Sequence, residues 1–266
     1  GTLLREDKSL SPVNRAALER AAAQGAEVVL ATGRFYGGIP QELRDLPFLR
    51  YFILMNGAKI YDRRTDRALG RAEIPWETAE AVIDLLEPLN CSVDCFQNDR
   101  GLMARKYYDH LEQYVTHPPS FALVKRTREA VDDLKEAVLA GGGSVQKLQA
   151  YFPDLALRPK VMEQCKLAFP NLVQAISMPA NLEFNAPDAT KGKGLRTLCR
   201  CLGIDPREAA AFGDGTNDLS LLREAGIGVA MANGAPETLV AADLTAPSNE
   251  EDGVAQILSR WFPENT

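Results

Sequence analysis

The sequence has no excess of basic residues and no long apolar run, and each absence excludes a class of function. Its 266 residues include 30 Lys and Arg against 36 Asp and Glu, which gives a formal net charge of −6. Because no surplus cations are present to neutralise a phosphate backbone or an anionic lipid surface, we expect neither a nucleic-acid nor a membrane partner. No apolar run approaches the roughly 20 residues that span a bilayer, and residues 1–15 lack the apolar core of a signal peptide. Small-molecule partners fit this composition better.

Cysteine and histidine are too few and too scattered for a structural zinc site. The cysteines, Cys91, Cys95, Cys165, Cys199 and Cys201, are odd in number and match no zinc-ribbon spacing, and only 2 histidines are present. We therefore expect reduced, mostly buried thiols in a cytoplasmic protein.

Strand-like apolar runs alternate with helical segments near both ends of the chain. Ser11 and Pro12 begin a predicted helix that runs towards Gly25, and strands are predicted over residues 26–31 and 51–55. The alternation resumes in the last third of the chain. It predicts a Rossmann-like, mostly parallel α/β sheet core, built from residues 1–64 and 185–266.

The middle of the chain has a different pattern, which predicts an inserted α+β domain over residues 65–184. Gln97, Arg100, Lys106 and Lys147 are candidate polar contacts there, and exposed surface charge is the interpretation we favour for each. The predicted elements of the insert are helices at 76–89, 128–140 and 160–169, and strands at 91–96, 102–106, 144–152 and within 172–185.

The most informative segment is residues 209–218, an apolar run that ends in Gly-Asp-Gly-Thr-Asn-Asp. The run predicts a buried strand and the following residues have helical spacing, so Asp214 and Asp218 are expected at the carboxyl end of a strand. Open α/β sheets bind ligands at that edge. Two carboxylates without nearby nitrogen or sulfur donors favour Mg²⁺ over Zn²⁺. An ordinary turn is the alternative, and this segment alone leaves it open.

Two further segments supply groups that suit an anion. Thr32 and Gly33 follow a predicted strand, and their hydroxyl and backbone N–H could hold phosphate oxygens, although an ordinary turn is the simpler interpretation of this pair alone. Lys191 and Lys193 begin a predicted helix, where the macrodipole disfavours cations by about 0.3–1 kcal/mol. A bound phosphate would offset that cost, and a solvated lysine is the alternative. With Asn56, these groups are expected along one rim of the sheet.

Together these segments resemble the four ordered motifs of haloacid-dehalogenase-type (HAD) phosphatases. More narrowly, the chain is similar to the Cof-like branch (class IIB), whose α/β cap has the place and size of the insert over residues 65–184. The resemblance implies a Mg²⁺-dependent phosphatase that acts on small phosphorylated metabolites through an aspartyl-phosphate intermediate. The segments that carry it are Gly1-Thr2-Leu3-Leu4, Thr32-Gly33-Arg34, Lys191-Gly192 and Gly213-Asp214-Gly215-Thr216-Asn217-Asp218.

The resemblance also implies a role for each matching residue. Asp214 would bind the metal, and Asp218 would orient Asp214 or a metal-bound water. Lys191 would act in catalysis by neutralising charge on the phosphate and the nucleophile. The remaining residues are implied to contact the phosphate or the substrate: Thr32, Gly33 and Asn217 the phosphate oxygens, and Arg34 the substrate or an acidic neighbour.

The chain departs from the family pattern at its first residue. The family's first motif reads Asp-x-Asp-Gly-Thr-Leu-Leu, and the chain begins at the glycine of that motif, Gly1, so neither catalytic aspartate is among the 266 residues. We expect the protein to start some residues earlier, and an intact mass that matches only these residues would refute this. A non-catalytic phosphate-binding or regulatory protein on the same fold, or a phosphomutase of the same superfamily, stays open as an alternative.

Overall fold

The computed structural model describes residues 1–264, which belong to two compact units. The first unit comprises Gly1–Arg34, Ile39–Arg71 and the described part of Thr190–Thr266, and the second comprises Phe35–Gly38 and Ala72–Ala189. The units therefore change near residues 71 and 189, whereas the sequence pattern predicted changes at 64 and 184. The first difference arises because a strand at Arg67–Arg71 pairs back onto the first unit.

The described residues form helices and strands that we number in chain order. None of these helices is long and apolar enough to cross a bilayer. The α-helices are α1 Pro12–Ala23, α2 Gln41–Arg44, α3 Trp76–Leu86, α4 Arg105–Tyr108, α5 Pro118–Thr127, α6 Leu134–Ala140, α7 Leu157–Ala168, α8 Lys191–Leu202, α9 Leu219–Glu224, α10 Pro236–Ala241 and α11 Gly253–Trp261. The strands are β1 Val29–Ala31, β2 Tyr51–Leu54, β3 Lys59–Asp62, β4 Arg67–Arg71, β5 Ser92–Gln97, β6 Arg100–Ala104, β7 Arg128–Val131, β8 Lys147–Tyr151, β9 Val173–Ala175, β10 Asn181–Asn185, β11 Ala210–Gly213, β12 Ile227–Met231 and β13 Leu244–Ala246.

The first unit contains the parallel strands that the alternating pattern predicts. Strand β1 pairs in parallel with β2, and β11, β12 and β13 form a second parallel set. Strands β3 and β4, which the sequence pattern did not predict, continue antiparallel from β2 and complete a sheet of order β1-β2-β3-β4. All four residues of β2 are buried, as expected for a strand covered on both faces.

Helices α1, α8 and α11 pack against these strands. The predicted cap of α1 is confirmed, because the Ser11 hydroxyl accepts a hydrogen bond of 3.0 Å from the backbone N–H of Asn14. Helix α8 comes so close to β2 that a Cβ at Gly194 would lie 2.6 Å from Cγ2 of Ile53. This close packing places the first residue of α8, Lys191, at the rim where β2 ends.

The second unit is an α+β fold built on a six-stranded sheet of order β7-β6-β5-β8-β10-β9. Strands β6 and β7 are parallel, and the other neighbours are antiparallel. The predicted helix at 128–140 is wrong in its first part, since β7 occupies Arg128–Val131 and only Leu134–Ala140 is helical. Pairing with β6 decides the conformation of those residues, and Asp133 caps the helix by accepting from the backbone N–H of Glu136.

The four candidate polar residues of the insert fall into two classes. Arg100 and Lys106 form exposed ion pairs with Glu129 and Glu87, so the surface-charge interpretation is confirmed for them. It is wrong for Gln97 and Lys147, which are buried. The Gln97 amide donates to two backbone carbonyls at 2.7 and 3.0 Å, and the Lys147 ammonium pairs with a carboxylate. The five cysteines are free thiols and four of them are buried, as the sequence predicts.

Candidate functional site

The loop that follows β11 is closed by one carboxylate. The Asp218 Oδ2 atom accepts hydrogen bonds from the backbone N–H groups of Asp214 and Gly215, both at 3.0 Å. A Cβ at Gly213 would lie 2.4 Å from the Cβ of Asp218, so the last residue of the strand must be a glycine for this closure. The buried Asp218 side chain therefore fixes the shape of the loop that carries Asp214.

Lys191 makes a buried ion pair with the other oxygen of the same carboxylate. Its Nζ atom lies 2.5 Å from Asp218 Oδ1, and both side chains are about nine-tenths buried or more. The lysine is the first residue of α8, whose cap Thr190 accepts from the backbone N–H of Lys193 at 3.2 Å. The sequence suggested a bound phosphate as the reason for a cation at this helix end. The structure supplies a second reason, because Asp218 already offsets the unfavourable macrodipole.

Asp214 keeps an accessible carboxylate at the end of β11. Its Oδ1 atom accepts a hydrogen bond of 2.5 Å from the Thr2 hydroxyl. The described residues contain no group of three or more His, Cys, Asp or Glu side chains that could hold a metal. Protein zinc sites use three or four such ligands, so these residues do not fit Zn²⁺. Mg²⁺ is bound instead by one or two carboxylates, water and phosphate oxygens, so Asp214 as a single hard-oxygen donor fits Mg²⁺.

Thr32 and Gly33 follow β1, a strand of the other sheet of the first unit. The backbone N–H of Thr32 donates to the Ile53 carbonyl at 2.8 Å, which continues the pairing of β1 with β2. The Thr32 hydroxyl accepts from the backbone N–H of Arg34 at 3.1 Å, which leaves the hydroxyl proton to donate elsewhere. Arg34 itself is exposed.

Asn56, which the sequence analysis placed on this rim without a role, contacts two of the site loops. Three consecutive residues, Met55, Asn56 and Gly57, have positive φ angles of 50°, 57° and 105°, a conformation that is unusual for residues other than glycine. The Asn56 backbone N–H donates to the Thr32 carbonyl at 3.0 Å, and its side-chain oxygen accepts from Asn217 Nδ2 at 3.0 Å. The sequence signal for this residue was the Asn-Gly pair after an apolar strand. That pair predicted the end of the strand but not the contacts that Asn56 makes.

The same loop also touches the start of α8. A Cβ at Gly57 would lie 2.3 Å from the Thr190 carbonyl oxygen, so only glycine permits this approach. Asn56 thus links the loop of Thr32 to the loop of Asp214, and Gly57 packs on the residue that precedes Lys191. The structure brings all of these predicted site residues together at one rim of the first unit.

An α/β unit that gathers a carboxylate, a lysine and open backbone donors at its strand ends is typical of proteins that bind phosphate groups. The model of one family, described as haloacid dehalogenase-like hydrolase, matches residues 1–258, and the chain belongs to this family. The predicted family, fold class and enzyme class are therefore confirmed.

Individual relatives agree over nearly the whole chain. The chain is 27% identical over 267 residues to 5-amino-6-(5-phospho-D-ribitylamino)uracil phosphatase YitU of Bacillus subtilis, covering 98% of this chain and 94% of that one. A haloacid dehalogenase-like hydrolase from Bacteroides thetaiotaomicron has a similar structure, with a TM-score of 0.83, 27% identity and coverage of 98% and 96%. The HAD subclass IIB sugar phosphatase BT4131 gives a TM-score of 0.81 at 25% identity, covering 98% and 95%.

Proposed function

We propose that the protein is a Mg²⁺-dependent phosphatase of small phosphorylated metabolites, such as sugar phosphates or phosphorylated cofactors, and that it works through an aspartyl-phosphate. The observation that carries the proposal is the assembly of Lys191, Asp218 and Asp214 beside the Thr32 loop at one set of strand ends. Two relatives, a sugar phosphatase and a 5-amino-6-(5-phospho-D-ribitylamino)uracil phosphatase, support a small substrate. The acidic net charge and the free, mostly buried thiols support a cytoplasmic enzyme without a nucleic-acid partner.

The donors at this rim retain protons for a phosphate. Lys191 has three N–H donors, and Asp218 accepts one of them. Asn217 uses one amide proton on Asn56, and the Thr32 hydroxyl proton has no acceptor among its described contacts. Together with the Gly33 N–H, these groups would hold the three outer oxygens of a phosphoryl group and stabilise charge in the transition state.

The proposed reaction has two steps. An aspartate carboxylate attacks phosphorus, the ester P–O bond breaks, and a second carboxyl group protonates the leaving alcohol. Water then cleaves the acyl phosphate, which releases inorganic phosphate and restores the carboxylate. Mg²⁺ held by Asp214 would offset repulsion between the anionic nucleophile and the anionic phosphate. Asp218 would position Asp214 through the loop and Lys191 through the ion pair, and Arg34 would contact the substrate or pair with an acidic neighbour.

A phosphate-release screen over a metabolite panel tests this function. The full-length protein, with its N-terminus verified by mass, should release phosphate with Mg²⁺ and lose the activity with a chelator. Asp214→Asn should cost on the order of 100-fold or more, while Asp205→Asn, an exposed acid of the same unit, is the matched control. Activity that survives chelation would contradict the proposal. Phosphate binding without turnover on any substrate would indicate a non-catalytic binder, and transfer to a second hydroxyl would indicate a phosphomutase.

A further inference from the structure

The segment Gly1–Leu4 of the first unit lies outside the helices and strands. The first regular element of the described chain is α1, which begins at Pro12. The described contacts give residues 1–4 no backbone–backbone hydrogen bond. The segment nevertheless carries Thr2, whose hydroxyl donates to Asp214 Oδ1 at 2.5 Å. Its backbone carbonyls therefore need partners from other parts of the chain if Thr2 is to keep a fixed position.

Three asparagine side chains supply those partners. They come from α1, from the loop between β12 and α10, and from the loop between β13 and α11. Each amide nitrogen donates to one backbone carbonyl of the segment: Asn14 to Leu3 at 3.4 Å, Asn233 to Gly1 at 2.8 Å, and Asn249 to Leu4 at 2.9 Å. Three of the four carbonyls are thus held by side chains that are distant in sequence.

The amide oxygens of two asparagines are bound as well. Asn14 Oδ1 accepts from the backbone N–H of Ala255 at 2.9 Å, and Asn233 Oδ1 accepts from the backbone N–H of Asn249 at 3.0 Å. A primary amide has a donor end and an acceptor end, so these bonds turn each nitrogen towards the segment. Asn14 and Asn249 are buried. Because a buried polar group without a partner is costly, the bonds favour one position of the segment.

The loop that carries Asn233 also holds the backbone of Asp214. The backbone N–H of Ala235, two residues after Asn233, donates to the Asp214 carbonyl at 2.8 Å. The Asn233 side chain holds Gly1, the residue before Thr2. One short loop therefore fixes the Asp214 backbone and also the segment whose Thr2 hydroxyl binds the Asp214 carboxylate.

We propose that Asn233, Asn249 and Asn14 are positioning residues that hold Thr2 against Asp214 and thereby orient the Asp214 carboxylate for Mg²⁺. Hydrogen-bond partners of metal ligands typically change metal affinity or activity about 10- to 100-fold when they are removed. The asparagines act one contact further from the metal, through Thr2, so their effect is smaller. The inference rests on the proposed phosphatase function, which places Mg²⁺ at Asp214, and it deepens that function by naming residues that prepare the metal site.

Alanine substitutions at two of the asparagines test the proposal. Mg²⁺ is titrated by calorimetry into the full-length protein with saturating inorganic phosphate. Asn233→Ala and Asn249→Ala should each weaken Mg²⁺ binding roughly 5- to 10-fold. Phosphate release at low Mg²⁺ should fall by a similar factor, and excess Mg²⁺ should restore most of it. Asn233 is exposed, so Asn233→Ala decides the question if the buried Asn249→Ala does not fold.

A second variant tests whether the effect passes through Thr2. Thr2→Val removes the hydroxyl and keeps the shape of the side chain, and it should weaken Mg²⁺ binding about 10-fold. Asn233→Ala added to Thr2→Val should weaken binding by less than about 2-fold further, because the contact that it acts through is already lost. A full, additive loss in the double variant would show that Asn233 acts by another route and would contradict the proposal.

Gln24→Ala is the matched control. Gln24 Nε2 donates to the Pro263 carbonyl at 2.9 Å, an amide-to-carbonyl bond of the same kind in the same unit. This substitution should leave the Mg²⁺ affinity unchanged. Wild-type Mg²⁺ affinity in Asn233→Ala and in folded Asn249→Ala overturns the positioning proposal and leaves the phosphatase function standing. A wild-type protein that does not bind Mg²⁺ overturns the proposed function, and the positioning proposal fails with it.

Discussion

The two units place polar groups in different parts of their sheets. In the first unit, the polar side chains lie on loops after β1, β2 and β11 and at the start of α8, while the strands themselves are mostly apolar. In the second unit, the polar side chains lie along the middle of β5, β8 and β10. Polar groups at strand ends come from short contiguous segments of sequence. Polar groups along the strands become neighbours only when the strands pair in the correct register.

Each unit also has a buried lysine–carboxylate pair, and replacing the two pairs in separate variants compares the units directly. Lys191→Met alone should cost about 3–5 kcal/mol of unfolding free energy because it leaves Asp218 buried and unpaired. Lys191→Met with Asp218→Asn should recover most of that stability and still lose 100-fold or more in phosphate release. Urea unfolding and the phosphate-release assay measure the two effects.

The corresponding replacement in the second unit is Lys147→Met with Glu183→Gln. We expect this double variant to keep kcat/KM for phosphate release within a few-fold of wild type, since the pair lies outside the proposed catalytic rim. Equal losses of kcat/KM in both double variants would contradict the assignment of catalysis to the rim of the first unit alone.

Substitutions at Asn56 separate its side chain from its backbone conformation. Asn56→Gly keeps the left-handed conformation and removes the contact with Asn217, so kcat/KM should fall roughly 10-fold while stability changes little. Asn56→Ala should show the same loss of activity and unfold more easily by about 1 kcal/mol because of its positive φ. Equal activity in wild type and Asn56→Gly would show that Asn217 needs no partner to hold its position.

Replacing a third ion pair, whose residues are distant in sequence from those of the rim, should have the smallest effect on the protein. Arg50 donates to both oxygens of Asp62, at 3.0 and 2.7 Å, and lowers the pKa of that carboxyl from 3.8 to about 2. The folded pKa is below the unfolded value, so this stabilisation is present above pH 4 and is lost as pH falls from 4 towards 2. Asp62→Asn should therefore lower the unfolding temperature at pH 6 more than at pH 3. The exposed Asp45→Asn is the control and should show no such difference.

The sequence predicted the first unit better than the second for a physical reason. The rim of Thr32, Lys191 and Asp214 could be predicted because parallel strand ends meet at one edge, so separate motifs are brought together by the topology alone. The role of Asn56 was missed because its contacts depend on three consecutive positive φ angles that no spacing rule announces.

The buried polar side chains along β5, β8 and β10 were not predicted from the sequence because their neighbours depend on the register between strands. Lys147 was interpreted as an exposed charge, since nothing in its local sequence shows that it faces Phe96 on a neighbouring strand. The prediction of a helix at 128–140 was wrong at its start for a similar reason. Arg128 lies in a strand because it pairs with β6, which is more than 20 residues earlier in the chain. A local sequence pattern carries no information about a strand partner that is distant in the chain.

The central claim is that a metal ion and a phosphoryl group share one site at the rim of the first unit. Calorimetric titration of the full-length protein with inorganic phosphate, with and without Mg²⁺, tests it independently of turnover. The account predicts that Mg²⁺ tightens phosphate binding at least about 10-fold and that phosphate tightens Mg²⁺ binding by the same factor, as linkage requires. Asp214→Asn should abolish this coupling. Phosphate affinity that is indifferent to Mg²⁺ in the wild-type protein would contradict the account.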